Sequence, residues 1–507
     1  MATIKLETFP PGTSGNTAAT LFASKLQYAV TTAVAGTVID CTSYSGNITL
    51  TTGITITKSV TLLFGNLTLT MKSNGNNMFN VVAPNVKIVG VSRSTKTGAV
   101  DGKTAFVLTG AAGGYHIFCG NNSSSGPSSS WASYSGLILD SFDCLGVQSA
   151  FTNNAGVVSY TNRGTGGIQI LEGNPDQSNT NVQNVQIRNV FINGTTNHGI
   201  MIHGGMTSKL QNCRVSAAGG HAYYIAGGST SMSLDTCYAT SATLAGFCIH
   251  NTSYSTLTNC ASDSCGVGYW LRNATTTTLV GCGAEASVVR SQMPNNLGIT
   301  VPSSAGTITI NDIGSDNVNF IRGASYFISG GEANTLVNPY SKDPGNRAGE
   351  ATYLNRRTAH LLMYSAATKM SIINPYFTGT SPLKYDVRLE ALDTDAPVSC
   401  DIQYTYDSYD PINPDETPDT DMLPVANILD QGTFNMFGIS TNKFTWGSNR
   451  LKVYGDSLSE VNNLYASDKL VIPVGFANPA DPTIGQMYYN TGDDKLYVYN
   501  GSAWTLH

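Results

Sequence analysis

Asp263 and Glu285 lie 22 positions apart, and Asp316 follows 31 positions later, in a chain with only 33 acidic residues among 507. Two carboxylates that flank a glycosidic bond can hydrolyse it, one giving a proton and the other supporting the sugar cation. A second set joins His203, His250 and Arg272 with Tyr223, Tyr269 and Trp270. Such residues supply a base, a cation that neutralises a uronic carboxylate, and flat faces for sugar rings, the requirements of a polysaccharide lyase or a glycan-binding surface. A third set is Asp140 and Asp143, with Glu172 able to complement either acid. None of the three implies a cofactor or a metal.

Whether any set can act depends on the elements that carry it. Four phrases recur: Leu210-Gln-Asn-Cys213, Leu234-Asp-Thr-Cys237, Leu257-Thr-Asn-Cys260 and Leu279-Val-Gly-Cys282. The cysteines are 24, 23 and 22 residues apart, and a period in the low twenties means a solenoid. Ile187-Arg-Asn-Val190 precedes the phrases and Ile310-Asn-Asp-Ile313 is read as following them. Aligned, they give apolar columns at the first and fourth positions and a small or apolar column two further on, with polar residues between. Period-two alternation is a strand with one buried face.

A second strand follows in each coil: His198–Ile202, His221–Ile225, Ala245–Ile249 and Val267–Leu271. The expected fold is all-β, a right-handed single-stranded parallel β-helix, its hand following from the crossover rule. Asn189, Asn212, Thr236 and Asn259, each just before the fourth column, suit a left-handed bend between sheets. A helical repeat is excluded, because 52 glycines would interrupt it throughout.

The repeat acts as a ruler. Three residues beyond the cysteine column, pointing outward, stand Asn193, Ser216, Thr240, Asp263, Glu285 and Asp316. Neighbouring coils then bring Asp263 and Glu285 to about 5 Å, suited to a retaining pair, and Asp263 and Asp316 to about 10 Å. By the same ruler His203, His250 and Arg272 follow the second strand's last apolar column. Leu139–Cys144 aligns with Ile187–Ile192, which turns Asp140 and Asp143 outward.

Charged residues make up 12% of the chain and the net charge is −6, so a nucleic-acid partner is not expected. No apolar run is long enough to cross a membrane, and no basic segment leads into an apolar one after Met1. Neither membrane insertion nor a secretory signal is expected. The cysteines, mostly in core columns, are expected as reduced fillers.

Along the chain, residues 1–36 form an extension and a short capping helix from Asn16 or Thr17 to about Ala35. Residues 37–331 form the β-helix. Residues 332–470 form a differently built β region with an acidic stretch from Asp386 to Asp421, read as a solvated loop in preference to a calcium site. Residues 471–507 contain a tyrosine-rich hairpin with an Asn490-Thr-Gly-Asp-Asp turn.

The helix around Leu26–Val30 leading into short strands, together with the repeats, resembles the pectate-lyase-like β-helix superfamily. The ending Gly485–Trp504 resembles a segment near the C-termini of bacteriophage tail fibres and tailspikes. The resemblance implies a tailspike that binds and depolymerises a host surface polysaccharide. It also implies a homotrimer, other tail proteins bound through the N-terminus, and a place in the virion tail, the chain being made in the host cytoplasm and acting outside it. A non-catalytic receptor-binding fibre and a free bacterial polysaccharide lyase are the alternatives. The polygalacturonase signature is absent: Asn197 precedes His198, the coil before it lacks paired aspartates, and there is no Arg-Ile-Lys element.

Overall fold

The structure is a computed structural model. It describes residues 2–10, 18–91, 103–112, 114–120, 135–146, 153–154, 157–158, 166–171, 182–195, 197–242, 244–287, 299–303, 306–310, 324–342, 344, 360–364, 369–378, 387–390, 399–404, 427–431, 436–441, 452–455, 474–475, 487–490 and 495–506. Two compact units divide the chain, Met1–Asp456 and Ser457–His507.

The first unit is a right-handed parallel β-helix with three sheets. One coil shows the path. Lys209–Gln211 lies in sheet I, the chain bends at Asn212, Arg214–Ala218 lies in sheet II, and Tyr223–Ala226 lies in sheet III. Among the described residues sheet I has 14 strands, sheet II 11 and sheet III 13. Every repeat strand pairs in parallel with its equivalents one coil away, and the register of sheet I sets Ile187, Leu210, Leu234, Leu257 and Leu279 side by side. All five are fully buried or nearly so.

The bends sit where the asparagines predict them. Asn189, Asn212, Thr236 and Asn259 have φ of 55°, 51°, 53° and 51°, and Gly281 fills the same place in the fifth phrase. Asparagine tolerates this left-handed backbone better than most residues. The Asn212 side-chain amide also donates to Asn189 Oδ1 at 2.9 Å, tying one bend to the next. The cysteines behind the bends are free and buried. Cys213 donates its thiol to Ile187 O and Cys282 to Leu257 O, both at 3.4 Å. Burial pushes the Cys213 thiol up and keeps it protonated.

Two expectations are corrected here. The rung after Leu279 is Leu336, not Ile310. Ile310 instead ends a strand, Gly306–Ile310, that pairs antiparallel with Ile299–Ser303 as a hairpin outside the three large sheets. A long insertion between two coils broke the even step on which the alignment relied. Nor do the coils stop at Gly331. Tyr326–Ser329, Leu361–Tyr364, Val387–Glu390, Asn427–Gln431 and Lys452–Gly455 continue sheet III without a change of direction. Of the acidic stretch, Val387–Glu390 and Ser399–Tyr404 are strands of these sheets, and the rest lies outside the described residues.

The N-terminal end is closed by the helix Ala18–Thr32. Phe22, Leu26, Ala29 and Val30 are buried against the first coils. Gln27 acts as a substitute strand: its amide donates to Thr55 O and accepts from Thr55 N, each at 2.9 Å. That satisfies the open edge of Ile54–Ile56, which otherwise invites pairing with another chain. The expected cap residues Asn16 and Thr17 lie outside the described residues. In the second unit Met487–Asn490 and Lys495–Tyr499 form the expected antiparallel hairpin, and Trp504–Leu506 adds a strand.

Candidate functional site

Asp263 and Glu285 end consecutive strands of sheet II, Ala261–Asp263 and Gly283–Glu285, and are direct partners in the register. Ser262 and Ala284, between each acid and its strand's first residue, face the core, so both acids face outward. The outward column reads Asn193, Ser216, Thr240, Asp263, Glu285 and then Lys342. Lys342 takes the rung expected for Asp316, and Asp316 lies outside the described residues.

The two acids differ in their surroundings. Asp263 is half-buried and accepts from Tyr238 Oη at 3.2 Å and Ser264 Oγ at 2.8 Å. Two hydroxyls from different directions fix the orientation of that carboxylate. Glu285 is exposed, with its side chain standing between Asp263 and Lys342 in the column. Burial first, and then the Asp263 charge, push the Tyr238 phenol up, so it stays a hydrogen-bond donor.

A parallel outward column begins these strands: Phe191, Arg214, Tyr238, Ala261, Gly283 and Tyr340. The Arg214 guanidinium is 5.6 Å from the Phe191 ring and 5.2 Å from the Tyr238 ring. Tyr340 stacks on Tyr376 at 5.7 Å with ring planes 10° apart. Between Tyr238 and Tyr340 only a methyl group and a glycine occupy the column.

Sheet III carries the second candidate set and divides it. Tyr223 and Tyr269 point into the core, contrary to the expectation that they contact substrate. They form a ladder with Phe247 and Tyr326, with ring centroids 4.7, 5.0 and 5.2 Å apart. The Tyr223 and Tyr269 hydroxyls donate to Cys213 O and Cys260 O at 2.7 Å. Their parity is that of Ile200, the buried residue opposite Tyr223, and a row of aromatic residues beside polar ones concealed it. Trp270 is on the outward side of its strand, yet it is only 1% exposed and its indole donates to Ser329 Oγ at 2.8 Å. It is not an open sugar platform.

His203, His250 and Arg272 are brought together at the end of the same sheet. His250 and Arg272 are register partners. The His203 ring lies over Gly227, where a Cβ would meet it at 2.2 Å, so that glycine makes room for the imidazole. Burial, then the Arg272 charge, then His203, push the His250 imidazole down to about 3. Its Nδ1 is 2.8 Å from the Tyr224 hydroxyl. Tyr224 escaped the sequence reading, although its column (Met201, Tyr224, Cys248, Trp270, Phe327) is legible from the same register. His198 and His221 were also missed as a pair. Their rings stack at 5.2 Å, and each Nδ1 accepts from the backbone of the next coil, at His221 N and Ala245 N.

Asp140 and Asp143 of the third set are tied into ion pairs. Asp143 takes the outward position expected of it, beside Phe191 in the register, but it is only 3% exposed and bonds to the equally buried Lys103 at 2.6 Å. Asp140 bonds to Arg188 Nε at 2.7 Å and to Asn189 and Ser141. Burial works to raise its carboxyl, but those hydrogen bonds and the Arg188 charge outweigh it and hold it low. Asp143 is sealed from solvent, and Asp140 is held by its three partners. Glu172 lies outside the described residues. Among the described residues no helix is long and apolar enough to cross a membrane, and no three His, Cys, Asp or Glu side chains converge as a metal site.

No curated protein sequence matches the chain. Among solved structures, a GH87 α-1,3-glucanase catalytic unit from Streptomyces thermodiastaticus is 12% identical, with TM-score 0.48, covering 89% of this chain and 70% of its own. A DFA-IIIase from Arthrobacter chlorophenolicus is 10% identical, with TM-score 0.46, covering 90% and 92%. Tailspike protein 3 of bacteriophage CBA120 is 10% identical, with TM-score 0.37, covering 99% and 68%. Residues 176–339 match the family model described as a right-handed beta helix region, the span that holds the cysteine repeat and the Asp263–Glu285 pair.

Proposed function

We propose that the chain is a polysaccharide-degrading β-helix protein, a phage tailspike that binds and hydrolyses a host surface glycan on the outer face of sheet II. The observation that carries the chemistry is the in-register pair of outward carboxylates, Asp263 and Glu285, on adjacent coils. That spacing, about 4.8 Å between backbones, fits the separation of acid and nucleophile in a retaining glycosidase. Glu285, exposed, gives its proton to the leaving glycosidic oxygen. Asp263, oriented by Tyr238 and Ser264, forms the bond to the anomeric carbon. Water then releases the sugar, with Glu285 taking the proton back.

The place in a virion tail, the homotrimer and the contact with other tail proteins rest on the resemblance of Gly485–Trp504 to tail-fibre endings. The test is incubation with candidate capsules and exopolysaccharides, following reducing ends together with absorbance near 235 nm. New reducing ends without absorbance are expected, and Glu285→Gln should lower their rate by at least about 10²-fold with binding kept. Absorbance rising with the ends would replace hydrolysis by elimination. Binding without either signal would make the chain a receptor-binding fibre.

A further inference from the structure

Along the outward column of sheet II, one face of Tyr238 is covered by the Arg214 guanidinium, which Phe191 backs in turn. The other face looks along the stack to Ala261 and then Gly283, before the next ring, Tyr340. Three rungs separate Tyr238 from Tyr340, about 14 Å. Tyr340 leans toward the glycine, its Cδ1 3.3 Å from where a Gly283 Cβ would stand. The rung over Ala261, beside Tyr238, carries only a methyl group in this column, and the Tyr238 hydroxyl reaches to Asp263 on the same rung. On that rung and the next, the neighbouring column presents Asp263 and Glu285.

We infer that the Ala261 face of Tyr238 is a stacking platform for one pyranose ring, and that the ring it takes is a neutral or an amino sugar. This rests on the glycosidase reading of Asp263 and Glu285. A sugar's apolar C–H face packs on a phenol ring as other flat apolar groups do. Arg214 behind Tyr238 locks the phenol plane, so little freedom is lost on binding. The Tyr238 hydroxyl bonds to Asp263 at 3.2 Å, so the platform and the carboxylate are set by one side chain. A uronic acid on this rung would bring its carboxylate against two others, while a hydroxyl or ammonium group would find acceptors.

The experiment uses the full chain on an array of neutral, amino and uronic hexasaccharides, with cleavage of the same oligomers followed by reducing ends. Ala261→Tyr fills the rung on an outward strand position without new backbone demands, and its melting temperature shows that the coil survives. Wild type should bind neutral or amino-sugar oligomers, and Ala261→Tyr should bind them at least about tenfold more weakly. Tyr238→Phe keeps the ring and should retain that binding, while shifting the pH profile of cleavage. Unchanged binding and cleavage by Ala261→Tyr would overturn the platform and leave the glycosidase reading standing. Binding confined to uronic oligomers would overturn the sugar class. No binding to any oligomer would count against the platform and the glycosidase reading together.

Discussion

His250 has a proton equilibrium set by its surroundings. Burial and Arg272 hold it neutral to about pH 3 in the folded chain. Burial also lowers His221 and His116 below their ordinary value of 6.5. An unfolded imidazole takes up a proton near pH 6.5, so below that pH the unfolded chain binds more protons than the folded one. The stability that depends on these rings being neutral is present above pH 6.5. It is lost as pH falls, and for His250 the loss runs down to about 3. Melting temperatures between pH 7 and 4 should fall steadily, and His250→Gln should flatten part of that slope. An unchanged slope in the variant would place the acid sensitivity elsewhere. The Tyr238–Asp263–Glu285 group shows how side chains on different rungs become one site. No pair among them is close in sequence, and only the ladder makes them neighbours.

At the scale of the element, the left-handed bends decide whether sheets I and II can meet at all. Asn212 sits at φ 51° and bridges to Asn189. Asn212→Ala loses both the tolerance and the bridge, and should cost about 1–2 kcal/mol by denaturant unfolding. Asn212→Gly keeps the backbone tolerance and should lose less. Equal losses would show that the side-chain bridge alone matters. The bends were legible because asparagine marks them in phrase after phrase. The break after Glu285 was not, because Ile310-Asn-Asp-Ile313 imitates the phrase while Ile310 itself ends a hairpin strand. Local pattern does not say which coil a strand joins; hydrogen-bonded register does. The same limit misplaced Tyr223 and Tyr269, since a tyrosine satisfies either face of a strand until its hydroxyl's partner is known.

For the Met1–Asp456 unit as a whole, a solenoid must protect its end. The Gln27 amide occupies the hydrogen-bonding groups of Thr55 at the first strand of sheet III. Gln27→Ala should leave the coil intact by circular dichroism and raise its tendency to self-associate in light scattering. No change in association would assign end protection to the packing of Phe22, Leu26 and Val30 alone.

The sequence by itself determined the solenoid, its inward columns, its bends and the pairing of Asp263 with Glu285, because each follows from a period that local chemistry repeats. The tertiary structure decided what the period does not encode. It put Lys342 on the rung expected for Asp316 and turned Tyr223 and Tyr269 inward. It also sealed Asp143 against Lys103 and carried the coils past Gly331. Those outcomes depend on which groups meet across coils distant in the chain, and on which of them remain in water.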